Sequence, residues 1–157
     1  MMTLCFDVLT ALRGKTLATA ESCTGGGIGA ALTDVPGSSA IYKGGIVSYC
    51  NEVKHDLLGV PANMLDKFGS VSSPVAIAMA EGARMKLETD IAVSVTGLAG
   101  PGDDEYGNPV GTVFVGYADE NGSTAGEFQF EGDRSSVRRQ AIIAALQLVL
   151  EKNTVQM

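Results

Sequence analysis

The run Thr19-Ala20-Glu21-Ser22-Cys23-Thr24-Gly25-Gly26-Gly27 constrains the fold of this chain more than any other stretch. An apolar segment, Thr16-Leu17-Ala18, precedes it and reads as a strand. An apolar-periodic segment with Ile28, Ala31 and Leu32 follows and reads as a helix. Glycines let the backbone turn sharply and approach a ligand closely. Strand, glycine turn and helix in that order place Ser22, Cys23 and Thr24 beside main-chain N–H groups at a helix start, where anions and developing negative charge are favoured. The same pattern is met by a tight strand-to-helix turn whose serine or threonine is only an N-cap.

The rest of the chain alternates in the same way. Cys5, Val8, Leu9 and Leu12 make a helical stripe that Gly14 can stop. After the glycine turn a helix runs to about Asp34, then Pro36-Gly37-Ser38-Ser39 forms a loop. Gly45 to Cys50 reads as a strand ending in polar groups, and Asn51 can cap a short helix carrying Lys54, His55, Leu57 and Leu58. Pro61 suits the first turn of another short helix, and Ser72-Ser73-Pro74 opens a longer one to Leu87. Ile91 to Val95 is a short apolar run of the buried-strand type, emptying into a second glycine-rich loop, Thr96 to Gly102. Gly111–Ala118 and Thr124–Phe130 read as antiparallel strands around Asn121-Gly122, a hairpin signal, and Val137, Ala141, Ala144 and Leu148 line a final helix. Helices alternating with strands, plus a hairpin, predict an α/β fold, a three-layer α/β/α sandwich with a mixed, mostly parallel sheet. In such sheets ligands bind where loops leave the carboxyl ends of strands. The loops Ser22–Gly27, Tyr49–Lys54 and Thr96–Gly102 are then expected to share one rim.

Composition narrows the chemistry. A length of 157 residues, 45% hydrophobic and 18% charged, fits one globular domain over residues 1–157 rather than a disordered chain. No apolar run reaches the roughly 20 residues that span a bilayer, and no basic-then-apolar segment opens the chain, so a cytoplasmic location and no membrane partner are expected. The net charge of −7 argues against nonspecific nucleic-acid binding, which needs a basic face. Three cysteines, Cys5, Cys23 and Cys50, have no paired spacing, so neither a disulfide framework nor a zinc ribbon is indicated. The single histidine, His55, cannot build a multi-histidine metal site, and a hydrolase here needs another base. No metal site and no phosphate-loop run G-x-x-x-x-G-K-[ST] is found.

Several segments together resemble one family. They are Ala20-Glu21-Ser22-Cys23-Thr24-Gly25-Gly26, Pro36-Gly37-Ser38-Ser39, Tyr49-x-Asn51-Glu52-x-Lys54, Thr96-Gly97-x-Ala99-Gly100-Pro101 and Gly132-Asp133-Arg134-x-x-Val137-Arg138. In order over nearly the entire chain, they are similar to the CinA C-terminal domain family in its stand-alone form. That resemblance implies a nicotinamide-nucleotide amidase, which converts nicotinamide mononucleotide to nicotinic acid mononucleotide and ammonia in pyridine nucleotide recycling. It implies no cofactor, a small-molecule substrate and a homodimer. The alternative is a non-catalytic module that binds a nucleotide or partner in competence or DNA-damage responses.

Within the amidase reading, Ser22 matches the nucleophile and Lys54 its base, a Ser–Lys variant of triad logic. An exposed lysine titrates near 10.4, so Lys54 must be lowered by burial or a nearby cation to about 7–8 to act as base. Tyr49 is a further catalytic candidate, as a proton relay or as the group that orients the lysine. Cys23 is a rival nucleophile, disfavoured because adjacent residues of an extended segment point opposite ways. Thr24, Gly25 and Gly26 are expected to supply main-chain donors near the nucleophile, and the match adds Asn51, Thr96, Gly97, Ala99 and Gly100 as substrate-binding. Arg134 and Arg138 stand at the start of the last helix, where cations oppose the helix dipole. The substrate phosphate is their expected partner, and Glu131 or Asp133 the competing one. The acids Asp103-Asp104-Glu105 depart from the family's glycine-rich loop and disfavour an anion unless they face away.

Overall fold

The computed structural model describes residues 1–154. In chain order the elements are α1 (Met2–Ala11), β1 (Leu17–Glu21), α2 (Gly27–Thr33), a short 3₁₀ turn (Ser38–Ala40), β2 (Tyr42–Val47), α3 (Asn51–Leu58), α4 (Ala62–Phe68), α5 (Ser73–Leu87), β3 (Ile91–Gly97), β4 (Thr112–Asp119), β5 (Gly122–Gln129) and α6 (Arg134–Asn153). The sheet order is β2-β1-β3-β4-β5. β1 pairs in parallel with β2 and β3, while β4 runs antiparallel to both β3 and β5. β4 is thus the one reversed strand, and the sheet is mixed as expected.

Alternation along the strands assigns each face to a layer. Leu17, Ile91, Val93, Val95, Val113, Val115 and Tyr117 face one way and pack with residues of α1, α2 and α6. Burial of each such Leu, Ile or Val side chain contributes about 1.5–3 kcal/mol. The opposite face carries small residues, Ala18, Ala20 and Ala92, which meet Leu58, Leu65, Val75, Met79 and Ala83 of the α3–α5 layer. Smallness lets α5 lie close to the sheet. The Ser94 hydroxyl donates to the Ala76 carbonyl at 2.6 Å, and a Cβ on Gly116 would collide with that same carbonyl. These are the three layers of an α/β/α sandwich.

Local chemistry sets the element ends. Ser72 takes the cap position of α5 in extended geometry, its hydroxyl donating to the Gly69 carbonyl, with proline in the first turn. Gly59 ends α3 at φ 71°, and the Asp133 carboxylate accepts from Ser136 N at 2.9 Å to start α6. Several boundaries differ from expectation, β3 among them, which runs on to Gly97. The edge strand is Tyr42–Val47 rather than Gly45–Cys50, because pairing begins where Leu17 meets Tyr42. Asn51 is the first helical residue of α3, with Cys50 in the cap position and no side-chain cap bond. The hairpin loop is Glu120-Asn121, since Asp119 and Gly122 are already a paired register position.

Candidate active site

Parallel pairing of β1, β2 and β3 brings their three carboxyl-end loops to one rim. There they border a cleft of about 250 Å³. Ser22 and Cys23 come from the first loop, Tyr49 from the second, Leu98 to Gly102 from the third, and Thr96 and Gly97 from the end of β3. Ser70 and Val71, ahead of α5, and Arg134, the first residue of α6, complete the wall.

Lys54 lies beneath this cleft, only 1% exposed. Its Nζ is 3.0 Å from Ser22 Oγ, 2.8 Å from the Ser48 carbonyl and 3.3 Å from the Tyr49 carbonyl. Burial lowers its pKa from 10.5 to about 8, against the opposing effect of the Cys50 and Cys23 thiols. The partner set then dictates proton roles. A carbonyl can only accept, so the two N–H bonds of a neutral amine go to Ser48 and Tyr49. The remaining lone pair faces Ser22, whose hydroxyl becomes the donor. As an ammonium, Lys54 instead donates to all three oxygens.

Ser22 is 7% exposed and its N–H donates to the Val95 carbonyl at 3.0 Å, which ties its backbone to the central strand. Cys23 borders the cleft too, but it belongs to the apolar cluster of the α6 side. Burial pushes its pKa up to about 11 against the pull of Arg138, Lys54 and Arg134. A thiol so held is a poor nucleophile near neutrality.

Of the predicted residues, Ser22, Tyr49, Thr96, Gly97, Ala99, Gly100 and Arg134 border the cleft, with Lys54 under it. The Thr96 hydroxyl donates to the Ser70 carbonyl at 2.7 Å. Leu98 is tied through both its N–H and its carbonyl, to Thr112 and Gly111. Tyr49 meets both Arg134 and Lys54. Its phenol is 61% exposed and accepts from Arg134 Nη2 at 3.0 Å, and the group that reaches Lys54 is its carbonyl. Arg134 also donates to the Gly100 carbonyl, so it links the second and third loops across the mouth.

The side chains of Thr24, Asn51 and Arg138 and the backbone of Gly25 and Gly26 do not line the cleft, and the reasons are specific. The Thr24 hydroxyl donates to Glu21 Oε1 at 2.7 Å, the Gly25 N–H is engaged by the Ser22 carbonyl at 3.1 Å, and the Gly26 carbonyl accepts from Ala30 N. Asn51 is exposed on α3. Arg138 donates to the Cys23 carbonyl at 2.9 Å and the Thr24 carbonyl at 3.2 Å, two main-chain partners rather than the Glu131 or Asp133 side chains. The start of α2 is likewise not open to an anion. Glu21, 2% exposed, accepts there from Ile28 N at 2.8 Å and Gly29 N at 3.1 Å.

Glu21 is the residue that reading the sequence missed. The available signal was an acid ahead of a helix start where only glycines occupy the capping positions. The acidic stretch also resolves. Asp103 accepts from Val110 N at 2.7 Å, and Asp104 accepts from Tyr106 N at 3.0 Å and Asn108 N at 2.9 Å. Asn108 then donates to the Val71 carbonyl at 3.0 Å. Two of the three carboxylates are turned onto their own loop.

A family profile for the CinA C-terminal domain matches residues 2–153. The chain belongs to the CinA C-terminal domain family. Among its relatives are CinA-like proteins of Parasynechococcus marenigrum, 50% identical over 135 residues, and Geobacter sulfurreducens, 48% identical over 134 residues. Each match covers 85% of this chain and 32% of the relative, so the chain spans about a third of the length of these curated relatives. Among solved structures, the competence/damage inducible protein CihA of Agrobacterium tumefaciens superposes with a TM-score of 0.93 at 38% identity, covering 98% of this chain and 95% of that one. Competence damage-inducible protein A of Klebsiella pneumoniae gives 0.94 at 36% identity, covering 96% and 95%. Among the described residues of this CinA domain, no helix is long and apolar enough to cross a membrane. No three His, Cys, Asp or Glu side chains gather there into a group able to hold a metal ion.

Proposed function

We propose that this CinA domain hydrolyses the carboxamide of nicotinamide mononucleotide, giving nicotinic acid mononucleotide and ammonia. The observation that carries the reading is a buried lysine amine 3.0 Å from the hydroxyl of a cleft serine, with its other two partners both carbonyls. Ser22 Oγ attacks the carboxamide carbon while its proton passes to the neutral Lys54 amine. The tetrahedral oxygen takes negative charge and is held by main-chain N–H groups around the cleft. Collapse breaks the C–N bond, and the Lys54 ammonium protonates the departing nitrogen, which leaves as ammonia. Water then attacks the Ser22 ester with Lys54 again taking the proton, and the carboxylate is released as Ser22 regains its hydrogen. Arg134 supplies positive charge at the mouth for the phosphate, and the pyridinium of the substrate further disfavours the charged lysine.

The test is ammonia release from nicotinamide mononucleotide with a chelator present. Ser22→Ala and Lys54→Ala each lower turnover by about 10³-fold or more, whereas Cys23→Ala stays within about threefold, since a protonated core thiol has no part in the steps. Tight nucleotide binding without turnover in the unaltered chain sinks the amidase reading in favour of a binding module. The homodimer that the family resemblance implies belongs to the same proposal, and sedimentation velocity measures it.

A further inference from the structure

Glycines make the nucleophile turn possible but do not hold it still. Gly25 and Gly26 take φ values of 60° and 98°, and no side chain in the cap position of α2 bonds to its start. Two charged side chains act on the turn from outside. Glu21 receives its donors, the Thr24 hydroxyl and the Ile28 and Gly29 N–H groups. Arg138 serves its acceptors, donating through Nε to the Cys23 carbonyl and through Nη2 to the Thr24 carbonyl. The Ser22 carbonyl is closed on Gly25 N. A trans peptide points its C=O and N–H in opposite directions. Tying back the Ser22 and Cys23 carbonyls therefore turns the Cys23 and Thr24 N–H groups the other way. Among the described residues neither N–H donates to a main-chain acceptor, and the Cys23 N–H has only its own thiol beside it.

We propose that Arg138 is a positioning residue for the hydrolysis: its guanidinium holds the Cys23 and Thr24 carbonyls so that Ser22 stays against Lys54 and the two N–H groups stay free to receive oxyanion charge. The inference rests on Ser22 being the nucleophile and adds that this arginine acts through the turn, not on the substrate. Its chemistry suits the task. A planar fork reaches two carbonyls at once, where the single ammonium of a lysine reaches them poorly. The two carbonyl dipoles also compensate a cation placed in the first turns of α6, a position the helix dipole disfavours.

The experiment measures labelling of Ser22 by a fluorophosphonate, a probe without phosphate or pyridine, as a rate per folded chain in Arg138→Met, Arg138→Lys and the exposed-neighbour control Arg139→Met. Positioning predicts that Arg138→Met slows labelling by about tenfold or more, that Arg138→Lys recovers part of the loss, and that Arg139→Met matches the unaltered chain. With nicotinamide mononucleotide, kcat falls in parallel while KM stays within about twofold. Folded fraction is taken from circular dichroism, so a merely structural role leaves the rate per folded chain unchanged. Should Arg138→Met not fold, Arg138→Lys carries the same comparison at smaller amplitude. Unchanged labelling in the folded variants overturns the proposal, and so does a raised KM at constant kcat, which makes Arg138 a substrate contact. Failure of the unaltered chain to label at Ser22 overturns the hydrolytic reading itself and this inference with it, an outcome distinct from the other two.

Discussion

Lys54 carries opposite consequences for stability and for chemistry. Its folded pKa of about 8 lies below the ordinary 10.5. Between those values the unfolded chain binds more protons than the folded one, so stability rises with pH across that window, by about 3 kcal/mol. Below pH 8 the folded protein holds a desolvated cation and that stabilisation is missing. In Lys54→Met the rise disappears, and the stability difference between the two chains, measured by urea unfolding at pH 7 and pH 10.5, shifts by about 3 kcal/mol toward the lysine form at the higher pH. In the proposed mechanism the same titration sets the rate. Only the neutral amine accepts the Ser22 proton, so kcat/KM for ammonia release climbs about tenfold per pH unit below pH 8 and levels above it. A profile flat from pH 6 to 9 contradicts the assignment of Lys54 as base.

The strand β1, the turn after it and the helix α2 behave as one device because Glu21 ties them together. In Glu21→Gln one side-chain oxygen becomes an NH₂ group that faces N–H or hydroxyl donors. A loss of about 1–3 kcal/mol is expected, read as a lower urea midpoint. The end of β3 depends on close approach instead. A Cβ on Gly97 would sit 2.7 Å from Val113 Cγ2 and 3.0 Å from the Thr112 carbonyl, so Gly97→Ala pushes β3 from β4 at a cost of about 1–3 kcal/mol. Because Gly97 borders the cleft, KM for the nucleotide rises in the same variant. Most of these elements were readable in the sequence because their apolar periods and glycine stops are local. The carboxylate of Glu21 was not, since an acid beside a serine and a glycine turn looks the same whether it faces solvent, substrate or a helix start.

Across the whole molecule, topology did what local pattern could not. Parallel pairing of β1, β2 and β3 makes Ser22, Tyr49 and Thr96 neighbours although they are far apart in the chain, and the order of strands and helices was enough to expect it. The direction of Arg134 and Arg138 was not legible. Both stand at the start of α6, yet one bridges two loops and the other grips the turn, a difference decided by how α6 packs against the sheet. The closeness of α5 to the sheet is a global property as well. Gly116→Val puts a side chain against the Ala76 carbonyl and is expected to lower the melting temperature by several degrees, a shift that calorimetry detects.

The contact between Arg138 and the Cys23 carbonyl joins residues 115 positions apart. During synthesis Ser22 emerges from the ribosome long before the arginine that holds its turn. A nascent chain halted ahead of α6 thus carries every group of the Ser22–Lys54 pair but lacks the grip on the turn. On the role proposed for Arg138, the turn is locked only once α6 has been made and docked.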